Sequence, residues 1–236
     1  CELADYYWTH SIIKTKSDHY YDEGNRRSNH SVWGLNKYAE EYDHKNYRSN
    51  PQFSSFFFAL LKTNYWYALE WTINLFNKLS LVYAKENKID IPNYDLFFVD
   101  EQKHLKYFGD FYMWTFGTKE NTFPMIINDF VYLIKEEIKL HLKNEFNTEK
   151  NPIEFAEKTK KMIYEKSNNI ILLSVISDIG KEFFDIIPGY SIDLISSFDI
   201  IYQDLSKTAL NVKNPTRELL EKQILSIAGI PHIPNR

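Results

Sequence analysis

One stretch limits the architecture more than any other. Residues 50–87 read NPQFSSFFFALLKTNYWYALEWTINLFNKLSLVYAKEN, and no other segment is as apolar for as long. Asn50 followed by Pro51 is a helix-start signal, with a side-chain acceptor at the N-cap and proline in the first turn. Asn64 interrupts the run and can cap a second helix. Beyond it, Ala68, Thr72, Leu75, Phe76, Leu79, Val82 and Tyr83 recur at steps of three and four, which puts them on one helical face. Glu70, Asn74, Asn77 and Lys78 fall largely outside that stripe. From Phe53 to Leu61 the chain is apolar nearly all round, so burial on several sides is expected. A membrane span needs about 18 or more apolar residues with few charges. Lys62, Asn64 and Glu70 break the run before that, so both helices are assigned to a core.

The rest of the chain repeats the helical theme. Leu3 to Lys16 and Ser31 to Lys45 have helical spacing, the latter with Trp33, Leu35, Tyr38 and Ala39 as apolar positions. Most of the stretch from Leu96 to Thr115 reads as helix, with Leu96 to Val99 a possible strand. Pro124 opens a helix with Ile127, Phe130, Val131, Ile134, Ile138 and His141 on one stripe. Asn151-Pro152 starts a charged helix through Lys166, with Ile153, Ala156, Met162 and Ile163 as its inner residues. Ile170 to Ile187 continues helical spacing through Ile179, Phe183, Ile186 and Ile187. Pro188-Gly189 is a turn. Ser191 to Ala209 is another amphipathic helix, with Ile192, Ile195, Phe198, Ile201, Tyr202 and Leu205. Asn214-Pro215 starts the last, ended by Gly229.

The count is about nine or ten helices with short connections. No strand-alternating segments occur in series. The expected fold class is therefore all-α: an irregular multi-helix bundle, or stacked helical hairpins of the solenoid type. No clean fixed-period repeat supports a named repeat family. The 236 residues are read as one domain, with a possible sub-boundary near residues 117–122.

Composition narrows the function classes. There are 17 Tyr, 17 Phe and 5 Trp, side chains that fill cores and also supply interaction surface. The formal net charge of −4 gives no global attraction to nucleic acid, and no nucleic-acid partner is expected. A local basic patch at Lys158, Lys160, Lys161 and Lys166 is also explained as a solvated helix face. The single cysteine, Cys1, excludes an internal disulfide and a cysteine-based zinc site, and fits a reducing, cytoplasmic setting. Because residue 1 is not Met, a fragment of a longer protein or a processed chain is expected. A lipidated N-terminal cysteine would read the same way, but the cleavage sequence that precedes one is not visible.

The familiar phosphate, zinc and serine-nucleophile patterns G-x-x-x-x-G-K-[ST], G-x-G-x-x-G, H-E-x-x-H and G-x-S-x-G are missing. Two E-x-x-H pairs, Glu41/His44 and Glu101/His104, would each put a carboxylate and an imidazole on one helix face. Two such pairs, with a glutamate from each of two further helices, make a di-iron carboxylate site. Glu70 and Glu136 or Glu137 stand at suggestive intervals, but the order differs from the ferritin-like pattern, and charged helix surfaces explain the same letters. A second cluster, Asp18, His19, Asp22, Glu23, Arg26, Arg27 and His30, can offer ligands to a hard or borderline cation. Within it, Arg27 and His30 resemble the Arg/His pair of HEPN-type ribonucleases, although the spacing is shorter and the pair lies in a polar loop. His141, on an apolar stripe, reads as a hydrogen-bonded, partly buried histidine. Tyr65, Trp66, Tyr67 and Trp71 suit either a stacking platform for a ligand or the core. No catalytic residue, metal ligand or cofactor is assigned.

Two segments carry a family resemblance. LLSVISDIGKEFFDIIPGYSIDLISSFDIIYQDLSK with the closing GIPHIP, and TNYWYALEWTINLFNKLSLVYAKEN, resemble the helical region of large bacterial STAND-type NTPases of the antiphage defence kind. The resemblance covers roughly Tyr65 to Lys85 and Leu172 to Pro234. It implies a helical linker or sensor that recognises a protein or couples recognition to an effector. That family's nucleotide-binding motifs do not occur in this chain. The expectation is a non-enzymatic helical scaffold or sensor with a protein partner. The alternative is a small helical enzyme, a ribonuclease using Arg27 and His30 or a metal-carboxylate protein using the E-x-x-H pairs.

Overall fold

The computed structural model describes residues 33, 35, 56–89, 94–98, 103–117, 124–143 and 151–210. Among these, the order is α1 (Phe56–Thr63), α2 (Tyr65–Asn87), β1 (Tyr94–Phe98), β2 (Lys103–Tyr107), α3 (Phe111–Trp114), α4 (Met125–Leu142), α5 (Pro152–Lys166), α6 (Leu173–Glu182), a 3₁₀ helix (Ile192–Ser196) and α7 (Phe198–Leu210). The protein is mostly helical. The expected helix at Leu3–Lys16, the one at Ser31–Lys45 apart from residues 33 and 35, the helix start at Asn50-Pro51 and the last helix from Asn214-Pro215 lie outside the described residues.

The central pair forms for the reasons its spacing gives. Asn64 separates α1 from α2, and its side-chain oxygen accepts the Tyr67 N–H at 3.2 Å. The 23 residues of α2 make it the axis of the fold, roughly 35 Å long. Ala68, Leu69, Thr72, Ile73, Leu75, Phe76, Leu79, Tyr83 and Ala84 are buried along it. The polar members of this face are satisfied internally: the Thr72 hydroxyl donates to the Ala68 carbonyl at 2.8 Å, and that of Ser80 to the Phe76 carbonyl. Val82, expected on the stripe, is exposed, as is Ala59 in α1.

Helix α4 packs against α1, α5 and α6, while α5 also packs against α2. Phe57 of α1 meets Phe130 of α4 at 4.2 Å between ring centres, and Tyr65 of α2 meets Phe155 of α5 at 4.7 Å. Trp33 stacks on Tyr83 at 4.2 Å. One cluster of buried side chains runs from Trp33 to Ile200. Among the described residues, no helix is long and apolar enough to cross a membrane.

Two expectations are corrected. Leu96 to Thr115 is not mostly helix: a small two-stranded sheet interrupts a fold that is otherwise mostly helical, roughly as the all-α expectation has it. The strands β1 and β2 pair antiparallel with Tyr94 opposite Tyr107, Leu96 opposite Leu105 and Phe98 opposite Lys103. Along β1, Tyr94, Leu96 and Phe98 face the core while Asp95 and Phe97 face out, the period-two alternation of a half-buried strand. The stretch from Ser191 to Ala209 is not one helix. Ser197, extended at φ −109° and ψ 113°, divides it into the 3₁₀ helix and α7. Adjacent serines at 196 and 197 are weak helix formers because their hydroxyls compete for backbone groups.

Candidate functional site

Of the residues singled out for metal chemistry, the structure describes His104, Glu70, Glu136 and Glu137. His104 lies on the strand β2, not on the helix expected for it. Its Nδ1 instead sits 2.9 Å from Asp95 Oδ1, and its ring lies 4.9 Å from Phe97 on the outer face of the hairpin. Glu101, Glu41 and His44 lie outside the described residues, as do Asp18, His19, Asp22, Glu23, Arg26, Arg27 and His30. Glu70 is paired with Lys166, and Glu136 with Lys139. Among the described residues, no group of three or more His, Cys, Asp or Glu is arranged to hold a metal ion.

Glu137 shows where tertiary packing overrides a surface reading. It is buried on α4, and Lys62 of α1 reaches its Oε2 at 2.5 Å. His141, one turn further on, approaches its other oxygen at 3.6 Å and stacks on Phe155 at 3.9 Å. Beside them, the Tyr65 hydroxyl shares a hydrogen bond with Thr159 at 3.2 Å. Burial holds that phenol well above its ordinary pKa, and the nearby Glu137 charge adds to the effect. The cluster ties α1, α2, α4 and α5 together. His141 is thus the partly buried, partnered histidine its stripe implied.

Tyr65, Trp66 and Trp71 of α2 do not form one platform. Tyr65 and Trp66 meet edge to face at 83°, Trp66 leans on Phe155, and Trp71 turns toward Phe57 and Phe130. The lysines of the basic patch are interleaved with partners. Lys160 pairs with Glu157 at 2.9 Å and approaches Asp193 at 4.0 Å; Lys161 lies 3.8 Å from Glu165. Lys158 is held over the Trp66 ring at 4.0 Å.

No protein-family model, curated protein or solved structure matches the chain.

Two surface features then stand out. A cavity of about 460 Å³ opens between the hairpin, α5 and the 3₁₀ helix, with Phe98, Leu105 and Tyr164 as its apolar lining. The Tyr164 hydroxyl is closed to solvent and has no hydrogen-bond partner among the described residues, so only its ring can serve the cavity. The second feature is the connector between α6 and α7. Phe183, Ile187, Tyr190 and Leu194 anchor it in the core, and the Tyr190 hydroxyl donates to the Ala156 carbonyl of α5 at 2.9 Å. Between these anchors the same connector exposes Phe184 at 64%, Ile186 at 43% and Ile192 at 62%. Helical spacing puts Ile186 and Ile192 on inner stripes, so the sequence alone missed their exposure. The break at Ser197 and the Pro188-Gly189 turn, with Gly189 at φ 78°, rotate them outward.

Proposed function

We propose that the chain is a helical protein-binding module, a scaffold or sensor, that uses the α6–α7 connector as its contact surface. The observation that carries this reading is the pairing of exposed and anchored side chains. Phe184 and Ile192 are largely in water, while Phe183, Ile187, Tyr190 and Leu194 on the same turn are buried. Large apolar groups held out by a fixed backbone lose little conformational freedom on binding, the property of an interface anchor. The partner is a protein with an apolar recess able to take an aromatic and two branched side chains. The resemblance to STAND-type defence proteins supports the same reading, since the connector lies inside LLSVISDIGKEFFDIIPGYSIDLISSFDIIYQDLSK.

The test is site-specific photo-crosslinking from position 184 in cells, followed by reconstitution with the crosslinked protein in purified form. Phe184→Ser and Ile192→Asp are expected to weaken that complex about tenfold or more each, the effect of losing an anchor worth at least about 1.4 kcal/mol. Their melting temperatures should stay close to that of the parent, because both side chains are already exposed. Crosslinks that form only within the chain, or a complex indifferent to both substitutions, overturn the proposal.

A further inference from the structure

We infer that the cavity between the hairpin and α5 is a binding site for a compact zwitterion with an apolar body, the chemistry of an apolar α-amino acid. The argument starts from the charges at the cavity. Lys160 is shared between Glu157 and Asp193, and Lys161 stands opposite Glu165. Two lining groups of opposite sign are left over. Glu154 has no side-chain partner among the described residues, and Lys158 touches only the face of Trp66. They stand four residues apart on α5, an arrangement that would ordinarily let them pair with each other, with Cβ atoms roughly 5–6 Å apart. Trp66 draws the Lys158 ammonium aside, and the pair stays open.

A ligand that carries an ammonium and a carboxylate a few ångströms apart satisfies both at once. Its ammonium meets the Glu154 carboxylate, its carboxylate meets the Lys158 ammonium, and its side chain lies against Phe98, Leu105 and the Tyr164 ring. The cavity's size falls within the range of small-molecule sites, and its three apolar residues stand among eight charged ones. Neither a simple anion nor a simple cation fits as well, since each leaves one of the two charges unmatched. The cavity borders the α6–α7 connector at Asp193, but Glu154 and Lys158 stand on α5, so the two proposals are tested at different residues and fail independently.

The experiment is isothermal titration of the full chain with L-leucine and L-phenylalanine, with N-acetyl-L-leucine and L-leucinamide as comparison probes. Saturable one-to-one binding of the free amino acids is expected, weakened about tenfold by removal of either ligand charge and by Glu154→Gln or Lys158→Met. Both side chains are exposed, so the variants should fold, which circular dichroism checks. Absence of saturable binding, or binding that both variants and both blocked probes reproduce, overturns the inference.

Discussion

Lys88 ends α2 in the left-handed region, at φ 55° and ψ 40°, with its N–H turned back to the carbonyls of Ala84 and Lys85. That conformation brings a Cβ too close to the following carbonyl oxygen, and glycine is the residue that usually occupies it. The chain uses lysine there and carries the strain. Lys88→Gly is expected to stabilise the fold by about 0.5–1 kcal/mol, seen as a higher urea midpoint with an unchanged slope. An unchanged midpoint would mean that the lysine stem makes contacts worth as much as the strain. Gly117 is the opposite case. Its φ is 79°, its N–H is taken by Asn128 at 2.8 Å, its carbonyl accepts from Lys135 at 2.6 Å, and an added Cβ would meet Val131 Cγ1 at 2.5 Å. Sequence reading places a possible sub-boundary there, but the reason glycine is required comes from Val131 of α4 lying against it.

Among the elements, the link between α5 and α6 depends on one side chain of α2. Asn77 donates to the Lys166 carbonyl at 2.7 Å, and its oxygen accepts from the Asn168 N–H and from Asn169 Nδ2, both at 3.0 Å. Asn169 in turn accepts the Ile171 N–H at 3.2 Å, and the backbone on either side of it joins Phe108 just past β2. Asn77→Ala would leave several partly buried donors and an acceptor without partners, at a cost of about 1–3 kcal/mol. Hydrogen exchange should then rise at Asn168, Ile170 and Phe108 before it rises in α2; uniform protection loss would count against this clamp. In sequence, Asn77 is only a polar residue off the apolar stripe. The hairpin was equally hard to read. Two five-residue strands with a mixture of Lys, His and aromatics are too short for period two to be told from period 3.6. By contrast α4 and α5, with long stripes and the Pro124 and Asn151-Pro152 starts, were legible within a residue or two.

At the scale of the whole molecule, the core is built around tyrosines as much as aliphatics. Burial raises the pKa of Tyr65, Tyr107, Tyr164 and Tyr190, and burial followed by the Asp110 carboxylate raises that of Tyr83, whose hydroxyl donates to Asp110 at 2.8 Å. An unfolded tyrosine ionises near pH 10. Above that pH the folded chain holds protons that the unfolded chain has lost. The stabilisation is thus complete below about pH 10 and falls as pH rises beyond it. Lys139 adds to the same trend: burial lowers its pKa, but hydrogen bonds to Glu182 and Glu136 outweigh that and leave it raised. Alkaline titration should therefore show tyrosinate absorbance from these residues appearing together with loss of helical ellipticity. Ionisation of all 17 tyrosines near pH 10 with the helices intact would contradict this packing.

The sequence by itself determined what depends on neighbours a few residues apart. The mostly helical character, the boundary at Asn64, the capped start at Asn151 and the buried stripes of α2 and α4 follow from local hydrogen bonding and a 3.6-residue period. Only the tertiary structure decided what depends on contacts distant in sequence. Glu137 is buried because Lys62, 75 residues away, reaches it. Glu154 and Lys158 do not pair with each other, because Trp66 of another helix holds the lysine. Phe184, Ile186 and Ile192 face water because their neighbours on the same turn are drawn into the core beside α5. A periodic pattern records which residues share a face; which face finds a partner is settled only when the other helices arrive.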